Sequence, residues 1–176
     1  MNKKQLLIGC GSSNKKVIHS VDDVEWQNLI RLDINAMHKP DVVWDLNDLP
    51  MPFDDNEFDE IHAYEVLEHT GNQGDYKFFF KQFTEFHRIL KNRGRFYATV
   101  PLPNSPWAWG DPSHTRIFCK EWLTFLRQKT YEEQVGKTSI SDFRYIYQAD
   151  FEPVWVHEQN DTLYFIIEAR KGNKDQ

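Results

Sequence analysis

Three side chains able to bind a metal ion or move a proton fall within five residues of this chain, in the run Tyr64-Glu65-Val66-Leu67-Glu68-His69-Thr70. A helix starting here would set Glu65, Glu68 and His69 at i, i+3 and i+4, on one face. A further imidazole, His114, follows in Gly110-Asp111-Pro112-Ser113-His114-Thr115-Arg116. Two carboxylates with two imidazoles suit manganese, iron or zinc better than magnesium, which favours oxygen ligands alone. Glu65, Glu68, His69 and His114 are therefore candidate ligands of a divalent ion (Mn, Zn, Fe or Mg). Without a metal, Glu65, His69 and His114 are the candidate catalytic acids or bases. The plainer alternative is a glutamate whose charge favours a helix N-terminus beside a packed histidine, with His114 held by Asp111 or a backbone carbonyl.

A second group of residues lies upstream. Gly9-Cys10-Gly11-Ser12-Ser13 closes the apolar run Leu6-Leu7-Ile8. Glycines at 9 and 11 allow a sharp bend at a strand end and close approach of backbone to a ligand; a tight turn alone would use them equally well. Asp33 and Asp45 each end a short apolar run, where a strand gives way to a loop. Asn14 stands where a dinucleotide fingerprint would place its third glycine, which speaks against a nicotinamide dehydrogenase.

The elements that would carry these residues follow from hydrophobic pattern. Leu6-Ile8, Leu29-Asp33, Val42-Asp45, Phe58-Tyr64 and Arg95-Val100 read as five short, buried strands. Tyr76, Phe79, Phe80, Phe83, His87 and Leu90 recur at helical spacing, so a helix is expected from Tyr76 to Leu90, stopped by Gly94. Residues 101–117, with four prolines and Trp107 and Trp109, are expected to form a long irregular loop covering an acceptor pocket, with both tryptophans as its walls. A short helix is expected from Glu121 to Gln128. Pro153-Val156 and Leu163-Ile167 flank Asn160-Asp161, a hairpin signal. Between Ser13 and Leu29 helical patterning is poor, so a first crossover helix is short, displaced or absent. Together these predict an α/β fold, a doubly wound and mostly parallel Rossmann-like sheet with a C-terminal antiparallel hairpin.

The 176 residues are one domain's worth of chain. Cys10 and Cys119 stand far apart with no CxxC spacing, which fits a reducing cytoplasm. No apolar run is long enough for a signal peptide or a membrane span, so a cytoplasmic protein is expected. A net charge of −6 disfavours nonspecific binding to nucleic acid without excluding it. Arg88, Lys91, Arg93 and Arg95 read as the cationic end of a helix rather than as a phosphate-binding patch. Nothing sets an oligomeric state.

In order and spacing, Leu7-Ile8-Gly9-Cys10-Gly11, Asp33, Asp45, the stretch from Leu49 to Asp59, Glu65-Val66-Leu67-Glu68-His69 and Arg88-Ile89-Leu90-Lys91-Asn92-Arg93-Gly94 resemble the class I S-adenosylmethionine-dependent methyltransferases, from Leu6 to Arg170. The resemblance implies an enzyme that binds S-adenosylmethionine through Gly9, Gly11, Asp33, Asp45, Leu46 and Tyr64. Asp33 would accept from the ribose diol, Asp45 from the adenine amine, and the Leu46 amide would donate to the ring. It implies methyl transfer to a small-molecule, sugar-like or phenolic acceptor at oxygen. The Glu-x-x-Glu-His run with His114 looks like that of metal-assisted O-methyltransferases acting on catechols or on an RNA ribose. Two alternatives stay open: a non-catalytic S-adenosylmethionine-binding module and an RNA ribose O-methyltransferase. The chain departs from the family pattern at Ser13, where a third glycine is common, and in its weakly marked first crossover.

Overall fold

In the computed structural model, which describes residues 2–19 and 23–172, seven strands form one sheet. They are β1 (Lys4–Ile8), β2 (Asn28–Asp33), β3 (Val42–Val43), β4 (Phe58–Tyr64), β5 (Leu90–Pro101), β6 (Phe151–Gln159) and β7 (Thr162–Ala169). The spatial order is β3-β2-β1-β4-β5-β7-β6. β7 runs antiparallel to both its neighbours, and the other pairings are parallel. The hairpin turn is Asn160-Asp161, with φ of 49° and 64°. Two consecutive left-handed residues are what a two-residue turn needs to follow the strand twist, and Asn and Asp tolerate that region better than other side chains.

One face of the sheet is apolar because alternate strand residues point to it: Leu6 and Ile8, Ile61 and Ala63, Phe96 and Ala98 are all buried. Helix α1 (Tyr76–Ile89) covers that face with Phe79, Phe80, Phe83, Phe86 and Ile89. The Phe86 ring lies 4.7 Å from Phe96 and the Phe83 ring 5.9 Å from it. Burying each ring fully contributes about 1.5–3 kcal/mol, which fixes the helix on the sheet. Asp75 caps α1 by accepting from the Phe78 amide at 3.0 Å.

The opposite face is mixed, with Leu7 beside Gln5, Glu60, His62 and Tyr97. No helix occurs among the described residues between β1 and β2. That segment is tied to the sheet by charge instead. Lys16 Nζ lies 2.9 Å from Asp23, and Lys3 Nζ bridges Asp23 at 2.8 Å and Glu60 at 2.6 Å. Gln5 donates to Glu60 at 2.6 Å, and His62 stacks on Tyr97 with centroids 4.5 Å apart. Burial alone would raise the Glu60 carboxyl, but hydrogen bonds from His62, Lys3 and Gln5 outweigh it and hold the group far below the usual carboxylate range.

Three expectations are corrected. Helix α1 ends at Ile89 with Leu90 as its C-cap, within a residue of the expected end, but Gly94 is not its stop, because the chain enters β5 at Leu90 and carries an irregularity there: Phe58 pairs with Leu90, but Glu60 already pairs with Arg95. Arg93 takes φ of 64° within it, and a Cβ on Gly94 would stand 2.9 Å from the Lys91 carbonyl oxygen. Residues 101–117 are not wholly irregular, since Ser105 caps a short helix α2 (Pro106–Gly110), its hydroxyl accepting from the Trp107 amide, with proline at the first position. The expected helix at Glu121 is a 3-10 helix, Lys120–Leu126, followed by an unexpected α3 (Gln128–Gln134). Buried Leu123 and Leu126 stand three apart, the period of that tighter helix.

Three of the four cations in the run from Arg88 to Arg95 pair with carboxylates. Arg88 pairs with Glu85 and Asp55, Lys91 with Asp59, and Arg95 with Glu168.

Candidate functional site

Strand order reverses between β1 and β4, and ligands of open α/β sheets bind in the crevice outside the C-terminal strand ends at such a point. The two glycines after β1 turn out to serve different ends. Gly9 has φ of 60°, and a Cβ there would lie 2.3 Å from Val66 Cγ2 and 2.8 Å from Val66 Cβ, so its lack of a side chain admits the segment after β4. Gly11 has φ of 53° and nothing within 4 Å of a built Cβ, leaving open space over its backbone.

Asp33, at the end of β2, is 6% exposed. Its Oδ2 accepts from the Gly11 amide and its Oδ1 from the Asn35 amide, both at 2.8 Å. The carboxylate thus fastens the glycine turn to the second strand. Asp45 accepts from the amide and the side chain of Asn47, both at 2.8 Å, a local turn cap. Leu46 is buried in the core beside it. The Tyr64 hydroxyl accepts from the Ile18 amide at 3.3 Å and lies 2.7 Å from His62 Nδ1, so it is engaged on the mixed face of the sheet. Burial pushes its ionisation well above the usual tyrosine range.

The acid and imidazole cluster differs from the expected helix face. Glu65 takes a left-handed φ of 52°, and its amide still bonds the Thr99 carbonyl at 2.9 Å, in the ladder between β4 and β5. Only Leu67–His69 form a 3-10 helix. Glu65 therefore stands outside the i, i+3, i+4 geometry assumed from spacing. One ligand atom each from Glu68, His69 and His114 lie within 4.8 Å of one another, and Glu65 is not in that group.

Within the group, Glu68 is 2% exposed, and neither of its carboxylate oxygens receives a hydrogen bond. Burial, with the Glu65 charge adding to it, pushes this carboxyl up to about 8. His114 Nε2 is 4.0 Å from Glu68 Oε1, and its Nδ1 faces the Ala108 carbonyl at 3.4 Å. The His69 and His114 rings meet edge to face at 4.5 Å, and His69 Nδ1 lies 3.0 Å from the Ser113 hydroxyl. Burial and the neighbouring His114 lower the His69 imidazole. Glu65 is also pushed up by burial.

A residue that the sequence reading passed over organises this turn. Arg116 is 3% exposed, and its Nε donates to the Leu67 carbonyl at 2.9 Å. Its Nη2 donates to the Thr70 hydroxyl at 2.9 Å and to Gln82 at 2.7 Å. The signal available was an arginine two residues past His114, the same side of an extended segment. Trp107 and Trp109, expected as pocket walls, are 67% and 74% exposed on α2.

Residues 6–98 match the family model described as a methyltransferase domain. In fold the chain is similar to an S-adenosylmethionine-dependent methyltransferase from Archaeoglobus fulgidus, at 15% identity and TM-score 0.57, over 95% of this chain and 86% of that one. It is similar to another from Methanosarcina mazei, at 17% identity and TM-score 0.56, over 97% and 92%. A third similar structure is the 1,6-didemethyltoxoflavin-N1-methyltransferase of Burkholderia thailandensis, solved with 1,6-didemethyltoxoflavin and S-adenosylhomocysteine, at 14% identity and TM-score 0.58, over 97% and 72%. No curated protein matches the chain in sequence.

Proposed function

The chain belongs to the methyltransferase-domain family and is an S-adenosylmethionine-dependent enzyme, and from that premise we propose that it methylates a hydroxyl of a small phenolic or sugar-like acceptor, with Glu68 receiving the hydroxyl proton. The observation that carries this reading is the Glu68 carboxyl: buried in the turn after β4 and without a hydrogen-bond donor, so that burial pushes it up to about 8. A base is most useful when its pKa lies near the working pH, and burial has moved this carboxyl there.

The donor supplies a methyl group on a positively charged sulfur, already a strong electrophile, so the protein's work is alignment and exclusion of water. The residues after β1 fit such a donor. Gly11 leaves its backbone uncovered, and Asp33 sets a buried carboxylate beside it, suited to a ribose diol. The acceptor's proton passes to Glu68 as the oxygen bonds the methyl carbon and the carbon–sulfur bond breaks, leaving S-adenosylhomocysteine. His114, if its Nδ1 proton faces the Ala108 carbonyl, turns a lone pair on Nε2 toward Glu68 and supports the charge change there.

A second reading, a divalent ion held by Glu68, His69 and His114, is favoured by the two donor-free oxygens of Glu68. One carboxylate with two imidazoles fits manganese, iron or zinc, and such an ion would lower the pKa of an acceptor hydroxyl. Release of S-adenosylhomocysteine over a panel of phenols and sugars, in chelator and with added manganese, tests both. Turnover in chelator that falls at least a hundredfold in Glu68→Gln supports the base. Turnover that requires added metal supports the ion. Turnover unaffected by Glu68→Gln refutes both.

A further inference from the structure

The segment that carries His114 and Arg116 also borders a second cleft, one that neither the glycine turn nor the Glu68 cluster uses. It encloses ≈ 240 Å³ between the N-terminal end of α1 and residues 116–143. Its walls are aromatic: Tyr76, Phe79, Trp122, Phe125 and Phe143 line it. The rings brace one another, with Phe143 at 4.8 Å from Phe80, 5.6 Å from Tyr76 and 5.7 Å from Phe125, and Phe79 at 5.2 Å from Trp122. A slot faced by flat rings favours a flat guest through offset or edge-to-face contact. Its volume is below the roughly 300–1,000 Å³ of pockets for drug-sized ligands, which limits the guest to about two fused rings.

Arg116 gives the cleft a polar end. Its guanidinium is nearly buried, and its hydrogen bonds go to a carbonyl, a hydroxyl and an amide oxygen, all neutral. No carboxylate lies within 4 Å of it among the described residues, Glu68 and Asp75 acting on it from farther away, and its hydrogen bonds run from Nε and Nη2. From beyond ion-pair distance they do not offset burial, which still lowers its affinity for the proton, so a carboxylate placed directly on it would be favourable. The other charge in the cleft lining is Asp75, which caps the first turn of α1 through the Phe78 amide and also attracts Arg116 at longer range.

We propose that this cleft binds a planar aromatic acid, its rings between the aromatic walls and its carboxylate on Arg116. The cleft and the Glu68 turn are mechanically one unit: the Thr115 amide bonds the Glu68 carbonyl at 2.9 Å, and Arg116 bonds Leu67.

Calorimetric titration with 2-naphthoate, 2-naphthamide and 2-naphthylmethylamine, each alongside S-adenosylhomocysteine, tests the proposal. The expected result is saturable binding of the acid, at least tenfold weaker binding of the neutral amide and weaker binding still of the amine. Ser141 is exposed at the cleft, so Ser141→Trp fills it without disturbing the core. That variant should lose naphthoate binding and keep its affinity for S-adenosylhomocysteine. Equal binding of acid and amide, preference for the amine, binding unchanged in Ser141→Trp, or no binding of the acid at its solubility limit would each overturn the cleft's assignment. Because S-adenosylhomocysteine is read in the same series, failure of the cleft with that affinity intact leaves the methyl-transfer reading standing.

Discussion

Gly9 and Gly11 look alike in sequence and should behave differently on mutation. Both take left-handed φ, at 60° and 53°, so alanine at either site carries a backbone penalty of about 1–2 kcal/mol. At Gly11 nothing else is added, because no atom lies within 4 Å of the new methyl. At Gly9 the methyl would meet Val66 Cγ2 at 2.3 Å, and relieving that overlap in a packed site adds about 1–3 kcal/mol. Gly9→Ala should therefore cost about 2–5 kcal/mol of stability and Gly11→Ala about 1–2. Val66 is itself 9% exposed, so Val66→Ala costs about 1–3 kcal/mol through lost burial. The double variant Gly9→Ala with Val66→Ala recovers the overlap but not the backbone strain, giving a favourable coupling of about 1–3 kcal/mol.

Urea denaturation of the four proteins of that cycle, with Gly11→Ala as a fifth, measures these terms. Titration with S-adenosylhomocysteine adds the functional half. Gly11→Ala, which carries only the backbone penalty, should bind at least tenfold more weakly because its methyl occupies the space over the glycine turn. Additivity of the Gly9 and Val66 substitutions within about 0.5 kcal/mol would refute the assignment of Gly9 to packing. An unchanged affinity in Gly11→Ala would refute the assignment of Gly11 to the ligand.

Asp33→Ala should weaken S-adenosylhomocysteine binding by about 1–3 kcal/mol, through loss of a charged acceptor and release of the Gly11 amide; an unchanged titration removes Asp33 from the site. Glu68 predicts a pH signature in chelator. Its folded pKa of about 8 lies above the ordinary 4.5, so the folded state holds a proton there that the unfolded state releases. Stability falls as pH rises through that window, by up to about 1.4 kcal/mol per unit, and the Glu68 penalty is absent below it. Glu68→Gln should remove that slope, and denaturation curves at pH 5.5 and 7.5 that change equally in both proteins would contradict the burial argument. Trp107→Phe and Trp109→Phe should leave turnover unchanged, since both rings stand in solvent; a fall in turnover would mean that α2 closes over the acceptor.

The features legible in the sequence were those set by neighbours along the chain. Asn160 and Asp161 declare a two-residue hairpin because both must take left-handed φ, and the phenylalanines of α1 declare a helix because their spacing builds its buried face. The strand ends that carry Gly11 and Asp33 followed from short apolar runs closed by a glycine or an aspartate. What escaped depended on partners remote in sequence. The crossover after β1 shows no helical pattern because Lys16 and Lys3 anchor it through Asp23 and Glu60, and ion pairs leave no period to read. Spacing suggested one helical face for Glu65, Glu68 and His69, yet the Glu65 amide stays in the ladder with Thr99, and a strand held one residue longer turns that carboxylate out of the cluster. Arg116 went unnoticed for the same reason. Its partners, Leu67, Thr70 and Gln82, are local to one another but distant from it, so only the folded chain shows that one arginine holds the turn bearing Glu68 while lining the aromatic cleft beside it.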